Sequence, residues 1–191
     1  MPIVIGDALG NDFNNPLGLL ADCHRRIEKF LKVLHTVARQ TRGMQLDDEQ
    51  RQALDTSLRY FRDSAPKHTA DEEESLFPRM LSRAGVHRAT LSATLLSLNA
   101  EHGIISNHHD EVEAVCQSWL ANDSLSSAEL PRLTSSLNEL RVIYSRHMAI
   151  EEQDVFPLAR LIIEPPDLQS IAQEMAQRRG LTIKDYAVMA P

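Results

Sequence analysis

His68 and Glu72 stand four residues apart, and so do His147 and Glu151. On a helix, residues i and i+4 are neighbours roughly 6 Å apart, so each pair can grip one centre. The pairs recur in matching text. His68-Thr-Ala-Asp-Glu72-Glu73-Glu-Ser-Leu-Phe77-Pro78 aligns with His147-Met-Ala-Ile-Glu151-Glu152-Gln-Asp-Val-Phe156-Pro157, 79 residues later. His24 and His102 lie 78 residues apart, each preceding its motif by a matching interval. The chain therefore reads as two copies of one helical hairpin, with His68 and His147 expected to contribute equally. All six residues fall on apolar stripes. An ionised carboxylate buried there without a partner is prohibitively costly, so the stripes must enclose something that binds them. Imidazole and carboxylate without thiolate suit iron, and also accept manganese or zinc. If both glutamates bridge, His24, His68, His102, His147, Glu72 and Glu151 suffice for two six-coordinate ions. A bridging oxo or hydroxo group would be a fifth ligand, leaving a position for water or an exogenous molecule, the mark of a reactive centre.

The elements that must position these residues are helices. Apolar residues recur in steps of three and four: Leu20, Ile27, Leu31, Leu34, Ala38; Leu54, Leu58, Phe61, Ala65; Leu91, Leu95, Leu98, Ile105, Val112, Cys116; Leu133, Leu137, Leu140, Tyr144. No alternating β-branched run supports a sheet. The pattern predicts an all-α, up-down four-helix bundle over 16–164, with hairpins at about 16–80 and 88–162. An irregular lead-in is expected over 1–15, and a short C-terminal helix and tail over 165–191, with the helix ended by Gly180. Pro66 should bend or split the second helix.

Around the six residues, Tyr144 sits one turn before His147, where its hydroxyl could reach a molecule at the site or be bonded elsewhere. His109, two turns from His102, is too far for the same ion and reads as a packing or outer-shell residue. Glu28 is a surface residue by this reading, Glu73 and Glu152 flank the site, and Cys23 is a small core residue. His35, His87 and His108 are incidental. The tail residues Met175, Arg178 and Arg179 suggest a docking surface.

A net charge of −7, with 20 Lys plus Arg against 27 Asp plus Glu, argues against nucleic-acid and anionic-membrane partners. Two cysteines make no disulfide framework. No apolar run nears a membrane span, and the first ten residues lack a signal-peptide pattern, so a soluble, cytoplasmic protein is expected.

At His24, His68-x-x-x-Glu72, His102 and His147-x-x-x-Glu151, and in the repeated Phe-Pro endings, the sequence resembles the hemerythrin-like, His-His-Glu cation-binding family. The resemblance implies a four-helix bundle holding a non-haem di-iron centre that meets oxygen, peroxide or nitric oxide. Oxygen-carrying hemerythrins have a further histidine one turn after the third-helix histidine, where this chain has Ser106. They also place an aspartate where Glu152 stands; helix phase prefers Glu151, with Glu152 the fallback. Ferritin-like bundles need Glu-x-x-His pairs, which are absent. Two functions follow: a di-iron protein that binds or turns over oxygen, peroxide or nitric oxide, or a metal storage, delivery or sensing module. The first calls for a redox partner and the second for a sensing partner.

Overall fold

The computed structural model describes residues 11–183, which contain helices and no strand. Helix α1 (Pro16–Thr41) opens with proline at its first position and the Asn15 side chain accepting from the Gly18 N–H at 3.1 Å. It closes through Arg42 and Gly43, both at positive φ. The second arm of the bundle begins with α2 (Asp48–Asp63), started by a reciprocal capping box between Asp47 and Gln50. Pro66 splits it as expected, and the chain resumes as α3 (Ala65–Ala70). A π turn, Asp71–Leu76, leads into α4 (Phe77–Arg83). The third arm is α5 (Arg88–Asn122). The fourth is α6 (Glu129–Ile150), a second π turn at Glu151–Val155, and α7 (Phe156–Ile162). Helix α8 (Pro165–Arg178) follows. Residues 1–10 of the expected lead-in and 184–191 of the expected tail lie outside the described residues.

The two π turns have one cause. Pro78 and Pro157 lack an N–H, and their rings would clash with the carbonyls four residues back in an ordinary turn. Widening the turn relieves this, and the Phe77 and Phe156 N–H groups bond the Glu72 and Glu151 carbonyls five residues earlier. The widened turn also corrects a drift. Positions 68, 72, 76 and 80, like 147, 151, 155 and 159, step by four, and each such step overshoots a 3.6-residue turn by about 40°. Yet His68, Glu72, Leu76 and Met80 are all buried, as are His147, Glu151, Val155 and Ala159.

Helix α1 packs on α2 and α6, and α5 on α6 and α2, closing the four arms around one interior. That interior holds two separate apolar clusters. One contains Ile27, Leu34, Leu54, Leu58, Trp119, Leu133 and Leu137; fully buried Trp119 donates from its indole N–H to the Met44 carbonyl at 3.0 Å. The other contains Leu17, Leu20, Leu76, Met80, Leu98 and Phe156 together with Ile171 and Met175 of α8. His24, His68, Glu72, His102, His147 and Glu151 fall between these clusters along every arm. The docking surface expected of the tail is thus turned inward. Met175 is fully buried, and Arg178 and Arg179 clamp the buried Asp71 carboxylate at 2.9 and 2.7 Å. No helix among the described residues is long and apolar enough to cross a membrane.

Candidate metal centre

Each arm delivers its residues to one polar layer. His24 comes from α1, His68 from α3, Glu72 from the first π turn, His102 from α5, His147 from α6 and Glu151 from the second π turn. Ligand atoms of His24, His68, Glu72 and Glu151 lie within 4.8 Å of one another, and so do those of Glu72, His102, His147 and Glu151. Both glutamates belong to both groups. Glu72 presents Oε1 to His68 Nε2 at 3.4 Å and to His24 Nε2 at 4.0 Å, and Oε2 to His102 Nε2 at 3.4 Å. Glu151 presents Oε2 to His24 Nε2 at 3.1 Å and Oε1 to His147 Nε2 at 3.2 Å. The helix-phase choice of Glu151 over Glu152 is what the geometry places in the cluster.

These atoms are close but not aligned for hydrogen bonding. Both oxygens of Glu72, both of Glu151 and the Nε2 of His24 are buried with no hydrogen-bond partner. Two carboxylates so placed are untenable without positive charge between them and the imidazoles. The donor set therefore fits a pair of cations. The hemerythrin HHE cation-binding domain model matches residues 15–159 of the chain. The chain belongs to the hemerythrin HHE family. A Haemophilus influenzae protein carrying no functional name is 23% identical over 168 residues, which cover 87% of this chain and 91% of that one.

In this HHE domain, the outward nitrogens of three histidines are held by carboxylates. Glu152 Oε1 lies 2.9 Å from His24 Nδ1 and also takes Arg25 at 2.7 Å. Glu73 Oε1 lies 2.8 Å from His102 Nδ1. Glu101 Oε2 lies 3.1 Å from His147 Nδ1, while its Oε1 takes Arg146 at 2.6 Å. Such partners fix the tautomer and turn the Nε2 lone pair inward. Glu152 and Glu73 each cross from one hairpin to a histidine of the other. The sequence reading assigned them to the flanks of the site, and it passed over Glu101. Glu101 nonetheless follows Leu91, Leu95 and Leu98 and precedes Ile105 on the same three-and-four stripe, a charged residue at a core position.

The electrostatics match a layer built for cations. Burial, and then the charge of Glu151, push the Glu72 carboxyl well above its ordinary value. Burial and neighbouring His24 push His68 well below its own. Burial opposes charging of His24 and His147, but Glu151 outweighs it and raises both. Burial likewise pushes Glu151 up, and His147 and His24 overcome it to hold this carboxyl low. Without metal the two carboxyls are thus pushed apart, Glu72 up by burial and Glu151 down by the histidines on either side of it. Bound cations reverse this, favouring two carboxylates and neutral imidazoles.

The remaining candidates are placed elsewhere. The Tyr144 hydroxyl lies 2.9 Å from His109 Nε2, and the His109 ring stacks on Phe61 at 4.2 Å. Burial lowers His109 to about 4, so it is a neutral partner of the tyrosine. Glu28 is exposed and outside the cluster, and His35 meets the Leu137 carbonyl at 2.9 Å.

Proposed function

We propose that this HHE domain holds two non-haem irons on His24, His68, Glu72, His102, His147 and Glu151, joined by an oxo or hydroxo bridge. In this reading the protein binds or consumes oxygen, peroxide or nitric oxide. The observation that supports it is that each carboxylate offers an oxygen to both histidine pairs. Two six-coordinate ions drawing two nitrogens and two oxygens each would leave positions that the chain does not fill. Iron in such positions supplies electrons to, and a binding place for, a small oxidant.

The chain's own part is to hold and to shield. Glu152, Glu73 and Glu101 fix three imidazoles, and the two apolar clusters keep bulk water from the polar layer. A cleft of about 290 Å³, lined by Phe61, Ala65, Ser106, His109 and Tyr144 among others, reaches His102. It suits entry of a small uncharged molecule. Ser106 lines this cleft where an oxygen carrier has a further histidine, which favours reaction over reversible carriage.

The test is anaerobic loading with ferrous iron, followed by stopped-flow mixing with oxygen, peroxide and nitric oxide separately. Retention of about two irons per chain and rapid oxidation by one of these is the expected result. An oxygen adduct that reverses under vacuum would return the protein to oxygen carriage. Two bound irons inert to all three would point to storage or to sensing through a partner.

A further inference from the structure

The twofold repeat is broken at a position that holds a histidine of the metal layer. Glu101 precedes His102 and accepts from both His147 and Arg146, at 3.1 and 2.6 Å. Carried into the first half by the repeat, Glu101 becomes Cys23, His147 becomes His68, and Arg146 becomes Lys67. The acid at the middle of the triad is therefore missing. The consequences are visible on both sides of it. His68 is 5% exposed and its Nδ1 has no hydrogen-bond partner, while Lys67 makes no ion pair among the described residues. The Cys23 sulfur instead receives the Arg26 guanidinium, at 4.0 Å. The other outward acids are conserved by the repeat: Glu152 holds His24 as Glu73 holds His102.

We infer, on the reading of the layer as a two-cation centre, that its two positions are unequal and that Cys23 makes them so. The position formed with His102 and His147 has both imidazoles held at Nδ1; it fills first and retains its ion. The position formed with His24 and His68 has one held imidazole and one free to change tautomer and tilt; it is the exchangeable one. Both share the same two carboxylates, so the difference lies in the histidines. Loss of such a carboxylate partner lowers metal affinity by about 10–100-fold. The asymmetry departs from the equal roles that the repeat alone suggests for His68 and His147.

The experiment is titration of the metal-free full chain with ferrous iron under nitrogen, against a chromophoric chelator. Two separated binding steps are expected. Cys23→Glu, which would face Lys67 as Glu101 faces Arg146, should strengthen the second step by about 10–100-fold and leave the first within a few-fold. Glu101→Gln should weaken the first step. Should Cys23→Glu fail to fold, His68→Ala and His147→Ala decide the matter: only the latter should impair the first step. Equal impairment by those two, or a second step unmoved in folded Cys23→Glu, overturns the inequality. Failure of the unaltered chain to retain any iron would instead overturn the metal centre itself.

Discussion

Glu72 and Glu73 are adjacent in sequence yet do different work. Glu72 is fully buried with both oxygens in the layer, whereas Glu73 only holds the outward nitrogen of His102. Glu72→Ala should abolish binding of the ion pair, and Glu73→Ala should retain both ions with affinity lowered about 10–100-fold, read by metal analysis and chelator competition. Equal losses would show that the geometry of the layer is misassigned. The residues of the layer give the metal-free protein a signed pH dependence. Glu72, His24 and His147 are raised groups, whose contribution is lost as pH climbs through their folded values. His68 and Glu151 are lowered groups, and their contributions are complete above the ordinary values of about 6.5 and 4.3. Above about pH 6.5 only the raised set of these groups still titrates, so the melting temperature of metal-free protein should fall as pH climbs from there. Iron-loaded protein should not show this fall, because its carboxylates are already ionised.

At the scale of the element, the π turns and the clamp on Asp71 carry the predictions. Replacing Pro78 and Pro157 by alanine removes the reason for the widened turns and lets the ordinary ladder re-form. Glu72 and Glu151 would then lose phase with Leu76 and Val155 beyond them. The double variant should keep its helical circular dichroism while binding iron more weakly; unchanged affinity would show that something other than proline sets the turns. Asp71 is fully buried at the start of the first π turn and held by Arg178 and Arg179. Removing both arginines strands a buried charge, and should cost about 3 kcal/mol in urea unfolding, with Asp71→Asn in the same background restoring part of it. Much of this was open to sequence reading. Stripe phase chose Glu151 over Glu152, and Pro66 foretold the break in the second arm. The runs of four-residue steps at 68–80 and 147–159 hold a trace of the π turns that the stripes alone do not reveal, and spacing within one helix is silent on Glu152 reaching His24 across the bundle. Glu101 stayed hidden because its counterpart is Cys23, and a search for repeated residues passes over whatever is not repeated.

Across the whole molecule, the six ligand residues form a polar layer through the full section of the bundle. Chelation should therefore lower the melting temperature of the entire domain; an unchanged value would place the metal outside the core. The layer also sets how the fold comes apart. Trp119, the single tryptophan of the chain, is buried in only one of the two apolar clusters. With the ions in place the clusters are joined through the histidines and carboxylates they surround, and unfolding should follow one transition by fluorescence and by circular dichroism alike. With the ions removed, the two ends are separated by a buried polar layer in which both oxygens of Glu72 have no hydrogen-bond partner, each end with its own hydrophobic contacts. They then become separate cooperative units, and the tryptophan reports on one of them alone. In metal-free protein its fluorescence midpoint in urea should part from the midpoint of the helical signal, so that the bound ions govern whether this chain behaves as one folding unit or two.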